Sequence, residues 1–117
     1  MKLAELASQV GATLLTQGPP VSVEIERVYA GDRMSDLLNE ASETTLLVTN
    51  LSTAHLLRMA ELMDLPGICF VNGQMPEAEM VRTAAEHGTA LMVSPFAMFE
   101  TCGRLYQCLC QEGKRSP

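Results

Sequence analysis

Short continuous runs of apolar residues alternate along most of the chain with stretches whose apolar residues recur every three or four positions. The runs at 46–48, 67–71 and 90–93 are typical of strands that are covered on both faces. The stretches between and before them have the spacing of amphipathic helices. These helices are predicted around residues 34–41, 56–63 and 76–88.

The first part of the chain has a different pattern. Leu3–Val10 carries one apolar helical face and ends at Gly11, a residue that commonly terminates helices. A short apolar run follows at 12–16. Over 21–26 apolar and polar residues alternate, which predicts a half-exposed strand that ends or bulges near Arg27. We therefore expect a helix followed by two hairpin-like strands.

A final helix is predicted from Ser94-Pro95, which suits an N-cap and a first helical position, to about Cys110. Strands that alternate with helices favour right-handed βαβ units. The predicted fold class is α/β, with a mainly parallel sheet flanked by helices and an N-terminal helix and strand pair. A single domain is expected over residues 1–110, with a flexible tail over 111–117.

The net charge of the chain limits the classes of partner that it is expected to bind. The formal net charge is −6, with 14 acidic against 8 basic residues. A nucleic-acid binder needs a basic face to replace phosphate counterions, so nucleic acid is not an expected partner, and neither is an anionic membrane. No apolar stretch has the length of a membrane span, and Glu5 interrupts any signal-peptide core. A cytoplasmic location with reduced cysteines is expected.

Small and polar residues follow the predicted strands, at the point where each leads into a helix. In an open parallel sheet this carboxyl edge is where ligands bind, and the N-termini of helices favour anions. We therefore predict a site for a small anionic ligand, such as a nucleotide or a phosphorylated metabolite. Capping of helices and turns by the same residues is the alternative. The predicted residues are Gly31, Asp32, Arg33, Thr49, Asn50, Asn72, Gly73 and Ser94.

The sequence gives little support for catalysis, cofactor binding or metal binding. Phosphate-loop, dinucleotide-binding and nucleophile-elbow motifs are absent, so no catalytic residue and no cofactor are predicted. Cys102, Cys108 and Cys110 are spread around one helix and do not converge on a metal ion. An acid beside a base at a strand end, Asp32 with Arg33, is the only support for a small enzyme.

The final helix is more apolar than one sheet-facing stripe requires. One seam contains Phe96, Phe99, Gly103, Tyr106 and Cys110, and a second contains Met98, Cys102, Leu105 and Leu109. We predict that the second seam forms an interface, in a homodimer or with another protein. Coverage of that seam by the helix Leu3–Val10 is the alternative.

Three blocks of the sequence resemble a known family. Val28–Leu38 (Val-Tyr-Ala-Gly-Asp-Arg-Met-Ser-Asp-Leu-Leu) resembles the opening of DRTGG domains, Phe70–Pro76 their second block, and Ser94–Leu105 their last. The sequence departs from the family at Asn72-Gly73-Gln74, where Thr-Gly-Gly is usual. The resemblance implies a fold similar to the N-terminal domain of the bacterial HPr kinase/phosphorylase. It also implies a regulatory, homo-oligomeric domain without catalytic residues, found as an accessory domain or as a stand-alone protein.

Together these observations favour a non-catalytic regulatory or ligand-sensing domain that self-associates. A protein–protein interaction module or scaffold that docks onto a partner enzyme is the alternative. A small enzyme acting on a phosphorylated substrate is the third hypothesis.

Overall fold

The computed structural model describes residues 1–16 and 23–115, with side chains described up to residue 111, and its fold is α/β as predicted. The helices of this part of the chain are α1 Leu3–Val10, α2 Met34–Glu40, α3 Ala54–Leu62, α4 Ala78–His87 and α5 Met98–Arg115. The strands are β1 Thr13–Leu14, β2 Arg27–Ala30, β3 Thr45–Thr49, β4 Gly67–Phe70 and β5 Ala90–Val93. No helix among these residues is both long and apolar enough to cross a membrane.

The strands form one sheet in the order β1-β5-β4-β3-β2. Four neighbouring strands, β2 to β5, are parallel, and β1 pairs with β5 in the antiparallel direction. The predicted N-terminal helix and two strands are present. The two strands do not form a hairpin, however, because β1 and β2 lie at opposite edges of the sheet.

The central strands are buried on both faces, which explains their continuous apolar runs. Every residue of β3, β4 and β5 is buried. Successive side chains of a strand point to opposite faces, so that Leu46 and Val48 face α1 and α5, whereas Leu47 faces α2, α3 and α4. The helices therefore form a layer on each side of the sheet.

The close packing of α1 against the sheet depends on Gly67 in β4. A Cβ atom at this position would lie 2.6 Å from the Leu3 Cδ1 atom, closer than such contacts ever come. Leu3, Leu6 and Leu105 are fully buried in the same core cluster. The first and last helices thus share one hydrophobic core on the same face of the sheet.

Two predicted element boundaries are wrong. Positions 21 and 22 of the strand predicted over 21–26 lie outside the described residues. In the rest of that segment, the Leu3 amide donates to the Val23 carbonyl at 3.0 Å and the Ile25 amide to the Met1 carbonyl at 2.9 Å. The segment therefore pairs with residues at the start of α1, and β2 begins only at Arg27.

The final helix begins at Met98 instead of Pro95. Ser94 is fully buried, and its hydroxyl accepts the Phe96 amide at 3.2 Å, so the chain makes a turn before the helix starts. Helix α5 then runs to Arg115, beyond the predicted end at Cys110.

Candidate functional site

Hydrogen bonds around Asp32 join the loops that follow β2, β3 and β4. The Asp32 Oδ1 atom accepts from the Thr49 hydroxyl at 3.1 Å and from the Asn50 backbone amide at 2.7 Å. The Asn50 side-chain Nδ2 donates to Asp32 Oδ2 at 3.4 Å, and Asn72 Nδ2 donates to Asn50 Oδ1 at 3.0 Å. We call these four residues the Asp32 network.

The sheet topology brings these residues together. In the parallel register Ala30 lies beside Val48, and Thr49 beside Phe70, so the three strands end at nearly the same level. The residues that follow them therefore meet at one edge, as the sequence predicts for the carboxyl ends of parallel strands. The hydrogen bonds themselves cannot be read from the sequence.

The Asp32 carboxylate is ionised at neutral pH. The backbone hydrogen bond from Asn50 is the main cause that holds the pKa of Asp32 below its ordinary value, and side-chain hydrogen bonds from Asn50 and Thr49 act in the same direction. Both carboxylate oxygens accept hydrogen bonds within the protein. Asp32 thus uses both of its carboxylate oxygens to hold the loops after β2 and β3 together.

The turn after β4 connects this network to the beginning of α5. Asn72 (φ 61°) and Gly73 (φ 65°) both have left-handed backbones, which is typical of the type I′ turn that Asn-Gly sequences favour. The Asn72 amide donates to the Phe96 carbonyl at 2.7 Å, and the Gly73 amide to the Ser94 carbonyl at 2.8 Å. The turn therefore fixes the loop between β5 and α5, and the Gly73 amide is already engaged.

Ser94 does not present its side chain at this edge. The residue is fully buried, and its hydroxyl lies 2.7 Å from the Thr101 hydroxyl. The hydroxyl instead fastens α5 to the sheet, so the prediction that Ser94 presents its side chain to a surface site is wrong.

Arg33 and Gly31 flank the network. The Arg33 side chain is 81% exposed, and its Nε atom lies 3.7 Å from the Asp36 carboxylate. An exposed ion pair at this distance is weak, so the guanidinium can turn towards a ligand at little cost. Gly31 has no left-handed backbone, and a Cβ atom there would be in ordinary contact with the Tyr29 ring at 3.5 Å. At this edge Arg33 and Asn72 are exposed, and Asn50 is half-buried.

The seam of α5 predicted as an interface lies mostly inside the domain. Leu105 is fully buried, and Met98, Cys102 and Leu109 are partly buried against the same core as α1. The prediction is wrong for Leu105, since a fully buried residue has no surface to offer a partner.

The other seam of α5 is the exposed one. Phe99 is 92% exposed and Tyr106 is 71% exposed. Beside them lies a groove of about 760 Å³ between α5 and β2, and its lining includes Val28, Gly103 and Cys110. The sequence reveals both apolar seams of this helix but not which of them faces the core.

A second groove, of about 610 Å³, lies between α3 and α4 and contains His55, Arg58 and Glu61. The His87 Nε2 atom lies 3.7 Å from the Glu61 carboxylate at its rim. Among residues 1–16 and 23–115, no group of three histidine, cysteine or acidic side chains is arranged to hold a metal ion. Burial raises the pKa of the Cys69 thiol to about 12, so this thiol stays protonated.

Comparison with known proteins shows that the chain shares its fold with a solved structure, but it does not assign the chain to a family. No family model matches the chain, and no curated protein matches it. The fold is similar to a crystal structure of the CBS and DRTGG domains of the regulatory region of Clostridium perfringens pyrophosphatase, complexed with the activator diadenosine tetraphosphate. The TM-score is 0.75 at 14% identity, over 91% of this chain and 46% of that one. The chain thus spans about half of that structure and shares its fold.

Proposed function

We propose that this chain is a non-catalytic regulatory domain that self-associates and binds a small anionic ligand, a nucleotide or a phosphorylated metabolite, beside the Asp32 network. The fold supports a regulatory role, since a protein with a similar fold is the regulatory region of a pyrophosphatase that was solved with a dinucleotide activator.

The observation that carries the proposal is the chain of hydrogen bonds from Asp32 through Asn50 to Asn72. It holds three loops in one arrangement, so that a ligand meets a prearranged polar surface. The amides of Asn50 and Asn72 are suited to hydroxyl and base groups, and the exposed guanidinium of Arg33 to a phosphate.

Charge favours a nucleotide over a bare phosphate. The ionised Asp32 carboxylate repels an anion placed directly on the network. A ligand that directs uncharged hydroxyl or base groups towards Asn50 and Asn72, and its phosphate outwards to Arg33, avoids this repulsion. Inorganic phosphate alone is therefore expected to bind weakly.

The state of Asp32 also favours binding over catalysis. A general acid or base works best with a pKa near the working pH. The pKa of Asp32 is lowered, and both of its oxygens accept hydrogen bonds from Thr49 and Asn50. Such a carboxylate is a poor proton donor at neutral pH, which weighs against the small-enzyme hypothesis.

A ligand bound here has a route to the rest of the domain. The backbone of Asn72 and Gly73 is hydrogen-bonded to the loop before α5, and Thr101 in α5 bonds to Ser94 in that loop. A shift of the turn on binding would therefore move the beginning of α5, the helix that carries the exposed aromatic residues.

The test is a thermal-shift screen of the chain against nucleotides, phosphorylated metabolites, carboxylates and inorganic phosphate. A specific ligand at 100 times its Kd adds about 2.7 kcal/mol to the unfolding free energy, a rise in Tm on the order of 10 °C for a domain near this size. The rise should be lost in Arg33→Ala and in Asn72→Gly, which removes the amide but tolerates the left-handed backbone.

Arg58→Ala is the matched control, because it removes the same charge from an exposed position in the α3–α4 groove. It should keep the full rise in Tm. A rise that survives in all three variants would place the ligand elsewhere, and a screen without any rise would remove the ligand-binding half of the proposal.

A second candidate function is an interaction module for a partner enzyme. The exposed Phe99 and Tyr106 beside the β2–α5 groove favour it, since large exposed apolar patches mark sites of association. A pull-down with the full chain that recovers only the chain itself would count against this candidate.

A further inference from the structure

One apolar surface of the domain has no partner among the described residues. It combines the open edge of β2 with the outer seam of α5, and we call it the β2–α5 surface. Its aromatic residues, Phe99 and Tyr106, are largely exposed and lie next to a groove of about 760 Å³. Its members are Val28, Ala30, Phe99, Gly103, Tyr106 and Cys110, and the partly buried Cys102 and Leu109 of the seam predicted as an interface also line the groove.

Gly103 is the first indication of what covers this surface. The residue lies inside α5, where glycine destabilises a helix relative to alanine. Neither its backbone nor its surroundings require glycine, because its φ is not left-handed and an added Cβ atom would meet nothing within 4 Å. Between two exposed aromatic residues, the missing side chain leaves a notch into which a second backbone can approach closely.

The edge of the sheet is the second indication. β2 is the last strand, with β3 on one side only. The Arg27 amide bonds to the Thr44 carbonyl and the Gly31 amide to the Val48 carbonyl, both on the β3 side. Because bonding alternates along a parallel ladder, Val28 and Ala30 direct their backbone groups to the open side. Such an edge is a template for pairing with another strand.

We infer that the β2–α5 surface binds a second copy of this chain across a twofold axis. This rests on the self-association in the proposed function and names the surface responsible for it. A twofold interface uses the same patch on both copies, so the patch must offer both a projection and a cavity to receive it. Phe99 and Tyr106 project, and the groove next to them is the cavity.

Charge and area agree with this occupant. The chain carries −6 overall, which repels a second copy. At this surface, however, the groove is lined by one acidic and one basic residue, Glu26 just before β2 and Arg27 at its start, so the formal charges of the lining balance. A buried Phe or Tyr side chain contributes about 150–250 Å², so Phe99 and Tyr106 together supply roughly half of the area of about 800 Å² that each partner buries in a standard interface. The groove walls and the strand edge supply further area.

The test is the dimer dissociation constant, measured by sedimentation equilibrium for the full chain and its variants. Phe99→Glu should weaken the dimer by about 30-fold or more, as expected for a central aromatic residue. Leu62→Glu is the matched control, since Leu62 is 77% exposed on the opposite face of the sheet, and it should leave the dissociation constant unchanged. Circular dichroism confirms that each variant is folded.

Gly103→Ala distinguishes an effect on the dimer interface from an effect on the stability of the domain, because the two are expected to change in opposite directions. It should raise the Tm of the dilute monomer, because alanine favours the helix, and weaken the dimer about 10-fold or more, because the notch is filled. If Phe99→Glu and Gly103→Ala both left the dimer intact, the proposal that the β2–α5 surface forms the dimer would be wrong, and self-association itself would stand. A chain that is monomeric at every concentration would overturn both, and the surface would then fit a different protein.

Discussion

The Asp32 network predicts a specific cost for removing one carboxylate. In Asp32→Ala, the Asn50 amide and the Thr49 hydroxyl lose their acceptor. Thr49 is fully buried, so water replaces Asp32 poorly at its hydroxyl, which costs about 1 kcal/mol. The hydrogen bond from the Asn50 amide is exposed, so water can replace the carboxylate there. Its loss therefore costs about 1 kcal/mol of unfolding free energy, less than the roughly 1.5–3 kcal/mol typical of a hydrogen bond to a charged group. The total is about 2 kcal/mol.

Urea unfolding at neutral pH measures this loss directly, and a fall in Tm on the order of 8 °C should accompany it. Asp36→Ala is the matched control, because it removes the same charge from an exposed side chain whose ion pair with Arg33, at 3.7 Å, is weak. The control should stay within about 0.5 kcal/mol of the unmodified chain. Equal stabilities of the two variants would refute the view that the network holds the loops.

The difference between Asp32→Ala and the unmodified chain should depend on pH. The pKa of Asp32 is lower in the folded protein than in the unfolded chain. The stabilisation is therefore fully present above the unfolded pKa of about 3.9 and is lost as the pH falls through the folded pKa. The two unfolding free energies should converge in acid, and a difference that grew below pH 4 would contradict this reasoning.

Two further predictions concern the core. Leu105→Ala should lower the unfolding free energy by about 2–5 kcal/mol in urea titrations, and the partly buried Leu109 should lose less on the same change. If Leu105→Ala were as mild as Leu109→Ala, Leu105 would not face the core, and the orientation of α5 would be incorrect. Cys69, with a pKa of about 12 in the folded state, should react with iodoacetamide only after unfolding, as followed by peptide mass mapping. Rapid modification of Cys69 in the native protein would show that β4 is not buried.

Much of the fold could be predicted because its signals are local. Fully buried parallel strands give continuous apolar runs, and β3, β4 and β5 each have one. Gly11 and Gly88 end α1 and α4 with left-handed backbones at φ 78° and 79°. The meeting of Asp32, Asn50 and Asn72 also follows from strand order, since adjacent parallel strands end at one edge.

The errors arise where a choice depends on distant residues. Both seams of α5 are apolar, and only packing against α1 decides that Leu105 turns inwards while Phe99 stays outside. Ser94 has the residue type of an N-cap, yet the buried hydroxyl of Thr101, seven positions along the chain, holds it in a turn before the helix. Helical periodicity carries no information about either contact.

The shared core of α1 and α5 has a consequence for synthesis on the ribosome. The Leu91 amide bonds to the Thr16 hydroxyl across 75 residues of chain, and β1 pairs only with β5 in the sheet. At 5–20 residues per second, the early elements wait roughly 4–15 s for these partners to be made. During that time the apolar face of α1, with Leu3 and Leu6, lacks the part of its core that β5 and α5 supply. The nascent chain should therefore be a chaperone client until β5 and α5 emerge from the exit tunnel.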